Sequence, residues 1–471
     1  MLDLLPPRLR EVLDRTPALG RAFLVGGCVR DSLMSRPVKD FDIEVYGIDY
    51  PALQAALSRW GRTDCVGRSF GVVKLSLRDG EQYDFSLPRR DSKVGPGHRG
   101  FEVDFDPGIT PEEASSRRDF TVNALMFDPR RGQLLDFHGG VEDLRARRLR
   151  HTSPAFVEDP LRVLRGMQFI GRFDLEPDPS TIALCRTIAS SQSELAVERI
   201  REEWWKWASR SVSPGRGLRF LSDCGWLDFY PEIAGLRGVS QDPEWHPEGD
   251  VWTHTLHCLD ALMKQSGWLA ADDTLRVILT LAVLLHDTGK PGTTRRELRD
   301  GRDRIVSPGH EAAGGALADR FLERLRAPIV VLERVRPLVE NHLAHLQAST
   351  GRSIRRLAVR LAPARIAELA EVMTADASGR PPRPVGEPAS VTALLKMAAG
   401  MELQAAAPRP LLQGRHLVAR GMRPSPKFSA ILGDAFEAQL DGEFADLDGA
   451  ERWLEARLSN GTGSAAAGPT A

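Results

Sequence analysis

Four consecutive apolar residues, Ala22 to Val25, run into Gly26-Gly27 and then into a helix-forming stretch from Cys28. That order predicts a buried strand, a turn and a helix. Phe41 to Tyr46 alternates apolar with acidic positions, and Val72 to Leu77 and Gln82 to Leu87 are further strand candidates. From Asp159 onward apolar positions recur at helical spacing almost to the end, with breaks near Ser213-Pro214-Gly215 and from Gly379 to Pro388. Ser459 to Ala471 is rich in Gly, Ala, Ser and Thr, which predicts disorder. No fixed-period repeat is visible. The pattern predicts an α+β protein, with a small mixed sheet in an N-terminal head followed by an all-helical body.

Composition narrows the partners. The 471 residues suffice for three or four domains with ample core. A formal net charge of −1 excludes a protein that coats long nucleic acids but leaves room for a local basic groove. Of the 63 basic residues 55 are Arg, whose planar fork suits phosphate, although codon bias accounts for most of the skew. Five cysteines without C-x-x-C spacing fit a reducing compartment. The N-terminus lacks the form of a secretory signal, and the longest apolar run, Val277 to Leu285, is too short to cross a bilayer. These features predict a cytoplasmic protein.

The first chemical constellation lies in the head. Glycines at 26 and 27 let backbone N–H groups approach a phosphate at a helix start, and Arg30 offers a charge-assisted fork to the same group. Asp40 and Asp42 are two apart, which in a strand points both carboxylates into one space. Such a pair repels unless divalent cations lie between, the arrangement used in nucleotidyl transfer. Glu44 continues that face, and Asp84 from Gln-Tyr-Asp-Phe-Ser-Leu is the preferred third carboxylate.

Gly26-Gly27-x-Val-Arg-Asp31 followed by Lys39-Asp-Phe-Asp42 resembles the head of the class II nucleotidyltransferases, the CCA-adding enzyme and bacterial poly(A) polymerase family. Arg117-Arg-Asp-Phe-Thr-Val-Asn-Ala124 resembles the family's ribose motif, which assigns Arg118 and Asp119 to the sugar. Asp136 to Leu144 resembles the hinge between head and neck, and Glu198 to Glu203 the motif that braces the neck. Glu158-Asp-Pro-Leu-Arg162 resembles the protein template that selects CTP or ATP. About one helical turn separates Asp159 from Arg162, so an acceptor and a donor on one face can read a Watson–Crick edge. Ser86 to Gly100, a basic Gly/Pro loop, stands where the family has the flexible loop that helps switch from C to A.

The second constellation is in the helical body, where seven of eleven histidines fall between positions 246 and 345. His286-Asp287 closes an apolar helix, with His254 upstream and His310, His342 and Asp376 downstream. Buried His and Asp need partners, and a metal supplies one. The order resembles the HD-domain phosphohydrolases. By that resemblance His254, His286, Asp287 and Asp376 hold one metal, and His310 and His342 complete the pocket or hold a second. His345 is an ambiguous neighbour, and His246 and His257 are placed outside the ligand set.

Together these resemblances imply a nucleotidyltransferase head over 1–149, a helical neck over 150–240, an HD domain over 241–400, a helical tail over 401–458 and a disordered end. The expected activity is addition of CCA, or its terminal A, to the tRNA 3′ end from CTP and ATP. Mg²⁺ is expected at the head and Ni²⁺, Mn²⁺, Co²⁺ or Fe²⁺ at the HD site, which then hydrolyses phosphate esters. The alternatives are a poly(A) polymerase, or a phosphohydrolase whose head only binds RNA or nucleotide. A monomer or homodimer without membrane contact is expected.

Overall fold

A computed structural model describes residues 5–66, 71–88, 90–93, 101–104, 108–347 and 350–462. The chain divides into two compact units, Met1–Ala234 and Gly235–Ala471.

In the first unit the strands are β1 (Ala22–Val25), β2 (Asp42–Val45), β3 (Gly61–Val66), β4 (Val72–Leu77), β5 (Gln82–Ser86), β6 (Arg90–Lys93), β7 (Phe101–Asp104), β8 (Met126–Asp128) and β9 (Gln133–Leu135). Seven of them form one sheet in the order β3-β4-β5-β2-β1-β8-β9. Only β2 and β5 in that sheet run parallel, with Asp42 opposite Asp84. β1 is buried throughout because the sheet is covered on both faces. Ala22 and Leu24 pack with Ile43, Val73, Phe85 and the helix Pro7–Arg15, while Phe23 and Val25 face Tyr46, Ile109 and Met126. β6, inside the segment Ser86 to Gly100 expected to be a loop, pairs antiparallel with β7 just beyond it as a separate two-stranded sheet; residues 94–100 lie outside the described chain.

After β1 comes α1 (Gly27–Leu33), and after the sheet α2 (Leu161–Phe173) and α3 (Val197–Arg210). α2 is amphipathic in sequence yet buries most of its length, since it packs against both α3 and the helix Pro214–Asp223.

The second unit holds α4 (Val251–Leu262), α5 (Asp273–Leu285), α6 (His310–Arg324), α7 (Ile329–Glu340) and α8 (Ile366–Ser378). α5 packs against α4, α7 and α8, so its Val277–Leu285 run is buried on all sides. The body is not wholly helical. Arg295–Arg299 and Arg302–Val306 form an antiparallel hairpin whose turn, Asp300-Gly301, has φ of 50° and 73°. Both values suit an Asp-Gly hairpin turn, so the signal was present among the charges that hid it. The last helix, Leu447–Thr462, runs past the expected start of disorder at Ser459. Among the described residues no helix is long and apolar enough to cross a membrane.

Candidate functional site

β1 ends where Gly26 turns the chain at φ 70° into α1, its N–H donating to Leu125 O at 3.1 Å. A Cβ at Gly26 would stand 2.8 Å from Arg118 Nη1, so glycine lets that guanidinium lie over the turn. Residues opposite one another on neighbouring strands share a face, so Asp42 and Asp84 face one cleft. That cleft, about 720 Å³, is also lined by Gly26, Gly27, Arg30, Arg118, Asp119, Asp159 and Arg162. Its walls carry nine Arg and Lys side chains against six carboxylates, an excess of positive charge that suits a polyanion.

The acids are placed unequally. Asp40 and Asp42 are both exposed at the residue level, but Asp40 lies ahead of β2, correcting the expectation that both residues of Asp-Phe-Asp sit on a strand. The register explains it: Leu24 is opposite Ile43, so the chain opposite Phe41 and Asp40 is already turning at Gly26. Burial pushes the Asp42 carboxyl up; Arg118 opposes this, and the charges of Asp84 and Asp40 add to it. Asp84 Oδ1 is buried without a hydrogen bond, with Lys74 Nζ 3.8 Å away. Glu44 turns to other partners, accepting from Tyr46 Oη at 2.7 Å and facing Arg118 Nη2 at 3.7 Å.

Arg30 lines the cleft, but Asp31 Oδ1 takes its Nε at 2.8 Å and its Nη2 at 2.7 Å. Its Nη1 donates to Asn123 Oδ1, and the guanidinium lies 4.4 Å from the Phe173 ring centre. Asp119 is buried and accepts from Phe120 N (2.8 Å), Asn123 Nδ2 (2.9 Å) and Arg165 Nε (2.8 Å). Burial alone would raise its carboxyl, but the Arg165 charge and these hydrogen bonds hold it below the usual carboxylate range. Asn123 stands four residues from Asp119 in the same motif, whereas Arg165 is 46 residues away and no local pattern pairs the two.

Asp159 and Arg162 both line the cleft, but not as one helical face. Pro160 follows Asp159 and drives it to φ −121°, ψ 99°, just ahead of α2. Its Oδ1 accepts from Leu161 N at 3.1 Å and its Oδ2 from Arg199 Nη2 at 2.9 Å. Arg162 donates to Ala155 O at 2.8 Å and Arg117 O at 2.7 Å. Each side chain is therefore anchored separately, with Arg199 of α3 the partner that sequence reasoning missed.

In the second unit His254, His286, Asp287, His310, His342 and Asp376 are all buried and come together. Ligand atoms of His254, Cys258, His286 and Asp376 lie within 4.8 Å of one another, as do those of Asp287, His310 and His342. His254 Nε2 is 3.0 Å from Asp376 Oδ1, and His286 Nε2 is 3.2 Å from Asp287 Oδ2. His310 Nε2 is 3.4 Å from Asp287 Oδ1. His286, His310 and His342 each place Nδ1 2.7 Å from the carbonyl three residues earlier, Val283, Ser307 and Val339. That leaves each Nε2 lone pair pointing inward. His310 Nε2 and His342 Nε2 then stand 3.3 Å apart.

Both Asp287 oxygens and His286 Nε2 are buried without a hydrogen bond, although Lys290 Nζ forms an ion pair with Asp287 Oδ2 at 2.7 Å. Facing lone pairs and unsatisfied buried carboxylate oxygens fit a cation. Burial, with neighbouring His286, pushes His342 down to about 3. His345 is half-buried and stands outside these groups. Cys258 and Glu248 were not foreseen. Glu248 Oε1 lies 2.8 Å from Nδ1 of both His246 and His254, and despite burial these contacts hold its carboxyl down at about 2.

Comparison with known proteins places a known domain over each unit. Residues 22–150 match the Poly A polymerase head domain, and residues 251–377 match the HD domain. A "Multifunctional CCA protein" of Xanthomonas campestris pv. campestris is 38% identical over 374 residues, which cover 76% of this chain and 85% of that one. A protein of the same name from Stenotrophomonas maltophilia is 44% identical over 283 residues, covering 59% and 66%. Among solved structures, the Bacillus stearothermophilus CCA-adding enzyme in complex with CTP is similar, with a TM-score of 0.65 at 20% identity. That match covers 98% of this chain and 100% of the other. The Thermotoga maritima CCA-adding enzyme complexed with tRNA_CCA has a TM-score of 0.60 at 18% identity, covering 97% of each chain. By descent and by fold, the chain belongs to the family of multifunctional CCA proteins.

Proposed function

We propose that this chain adds CCA to the 3′ end of tRNA from CTP and ATP in its first unit, and hydrolyses phosphate esters in its second. The observation that carries the first reading is the pairing of Asp42 with Asp84 in the cleft that also contains Gly26, Arg118, Asp159 and Arg162. Asp42 and Asp84, with Asp40 beside them, would hold Mg²⁺, whose chemistry is to activate the primer 3′-hydroxyl and neutralise the triphosphate. Gly26, Gly27, Arg30 and Arg118 bind the triphosphate, and Arg118 with Asp119 orients the ribose. Asp119 does so through the geometry it imposes, since its oxygens are occupied by Arg165 and Asn123. Asp159 presents an acceptor and Arg162 donors to the incoming base, each held by its own anchors. The tRNA is bound through phosphates and shape at its acceptor end.

In the second unit His254, His286, Asp287 and Asp376 would hold a divalent transition metal, with His310 and His342 at the same pocket. Such a metal lowers the pKa of a bound water so that it attacks a phosphate ester, here a phosphomonoester or a 2′,3′-cyclic phosphate. A cytoplasmic monomer or homodimer, with domain limits at 149, 240, 400 and 458, completes the reading.

Transcripts ending before CCA, after C and after CC, each given CTP and ATP, test it. All three should be completed to CCA and stop. Extension of the CC-ended transcript alone would leave an A-adding enzyme, unlimited growth on ATP a poly(A) polymerase, and no extension at all would remove the polymerase reading.

A further inference from the structure

Of the four buried histidines of the second unit, three take their orientation from the carbonyl three residues back and His254 does not. His286 and His342 follow the ends of α5 and α7, and His310 opens α6, so a carbonyl three residues back is available to each Nδ1–H. His254 lies inside α4, where the equivalent carbonyl, that of Val251, already accepts from Thr255 Oγ1 at 2.8 Å. Its Nδ1 instead stands between the Glu248 carboxylate, Oε1 at 2.8 Å as an ion pair, and Gly379 O, a hydrogen bond of 3.2 Å from the far end of α8. The Glu248 side chain is fully buried, and the same oxygen lies 2.8 Å from His246 Nδ1. On the opposite edge of the His254 ring, Nε2 faces Asp376 Oδ1 at 3.0 Å and Asp287 Oδ2 at 3.7 Å.

We infer that Glu248 is the positioning residue of the metal centre: its carboxylate takes the Nδ1–H of His254, fixes the ring and its tautomer, and so turns Nε2 toward the metal. A charged acceptor does this more strongly than a carbonyl and raises the basicity of the nitrogen across the ring. His246, held by the same oxygen, steadies Glu248 from the side away from the ligands. The inference rests on reading the cluster as a metal centre.

The test uses the full chain stripped of metal and titrated with Mn²⁺ and Ni²⁺ against a fluorescent chelator, for the wild type, Glu248→Ala, Glu248→Gln and His286→Ala. Glu248→Ala should weaken binding about 10- to 100-fold, and Glu248→Gln, which keeps an acceptor, should fall between it and the wild type. Nitrogen-15-edited proton spectra of the metal-free protein should show the His254 Nδ1–H resonance far downfield in the wild type, less so in Glu248→Gln, and furthest upfield in Glu248→Ala, where only Gly379 O remains to accept it. Binding by both Glu248 variants within about twofold of wild type, while His286→Ala loses the metal, would overturn the role of Glu248 alone. Undiminished binding by His286→Ala would overturn the metal centre itself. Should Glu248→Ala fail to fold by circular dichroism, Glu248→Gln decides, since wild-type affinity there refutes the inference.

Discussion

Replacing Asp119 by Ala should loosen the joint between the ribose motif and α2. The carboxylate accepts from Phe120 N, Asn123 Nδ2 and the Arg165 guanidinium, the last at 2.7 and 2.8 Å. Removing one partner of a fully buried pair typically costs about 3–5 kcal/mol, because the other is left uncompensated. The Arg165 side chain keeps 35% of its surface exposed, which lets water compensate part of the loss. A loss of about 2–3 kcal/mol is therefore expected, equivalent to about 30- to 150-fold in a local opening constant. Hydrogen exchange read by mass spectrometry on peptides spanning residues 119–125 and 161–173 measures it where it occurs. Arg165→Met on the Asp119→Ala background should recover part of the loss, since replacing both partners of such a pair is close to neutral. A change under about 1 kcal/mol in the single variant, or no recovery in the double, would refute the argument.

The head acids give a prediction of opposite sign. The folded-state Asp42 carboxyl is raised, chiefly by burial, so the cation-free fold gains stability as pH falls through that value, and Asp42→Asn should match or exceed wild-type stability in EDTA at pH 7 while abolishing nucleotide addition. Thermal melts beside primer extension check both halves, and a marked fall in the melting midpoint would contradict them. Gly26→Ala places a Cβ 2.8 Å from Arg118 Nη1 at φ 70°, strain of about 1–3 kcal/mol, and should raise KM for CTP and ATP in steady-state extension assays. Arg199→Ala frees Asp159 Oδ2, so misincorporation at the CC-ended step should rise by several-fold, measured with CTP and ATP in competition.

How much was legible in the sequence depended on whether the determinant was local. β1 and β4 were bounded as observed because a four-residue apolar run defines the first, and apolar residues at 73, 75 and 77 define the second. Asp40 was misplaced because strand ends depend on where the partner strand turns, here at Gly26. Asp159 was placed on a helix although Asp-Pro argues against it, since the motif spacing outweighed the local backbone rule. Histidine spacing sufficed to collect the second cluster, with Cys258 and Lys290 a turn from His254 and Asp287, yet Glu248 joins it from the loop ahead of α4. Periodicity says nothing about such contacts.

The carbonyls behind His286, His310 and His342 also bear on how the second unit meets an ion. Each ring is oriented by a carbonyl of its own segment, so an ion that bound there would freeze few additional side-chain rotations. A zinc finger, by contrast, is unfolded until its ion arrives. Here the three rings are held by backbone hydrogen bonds at the ends of α5, α6 and α7, so their placement is set by the same contacts that build the helices.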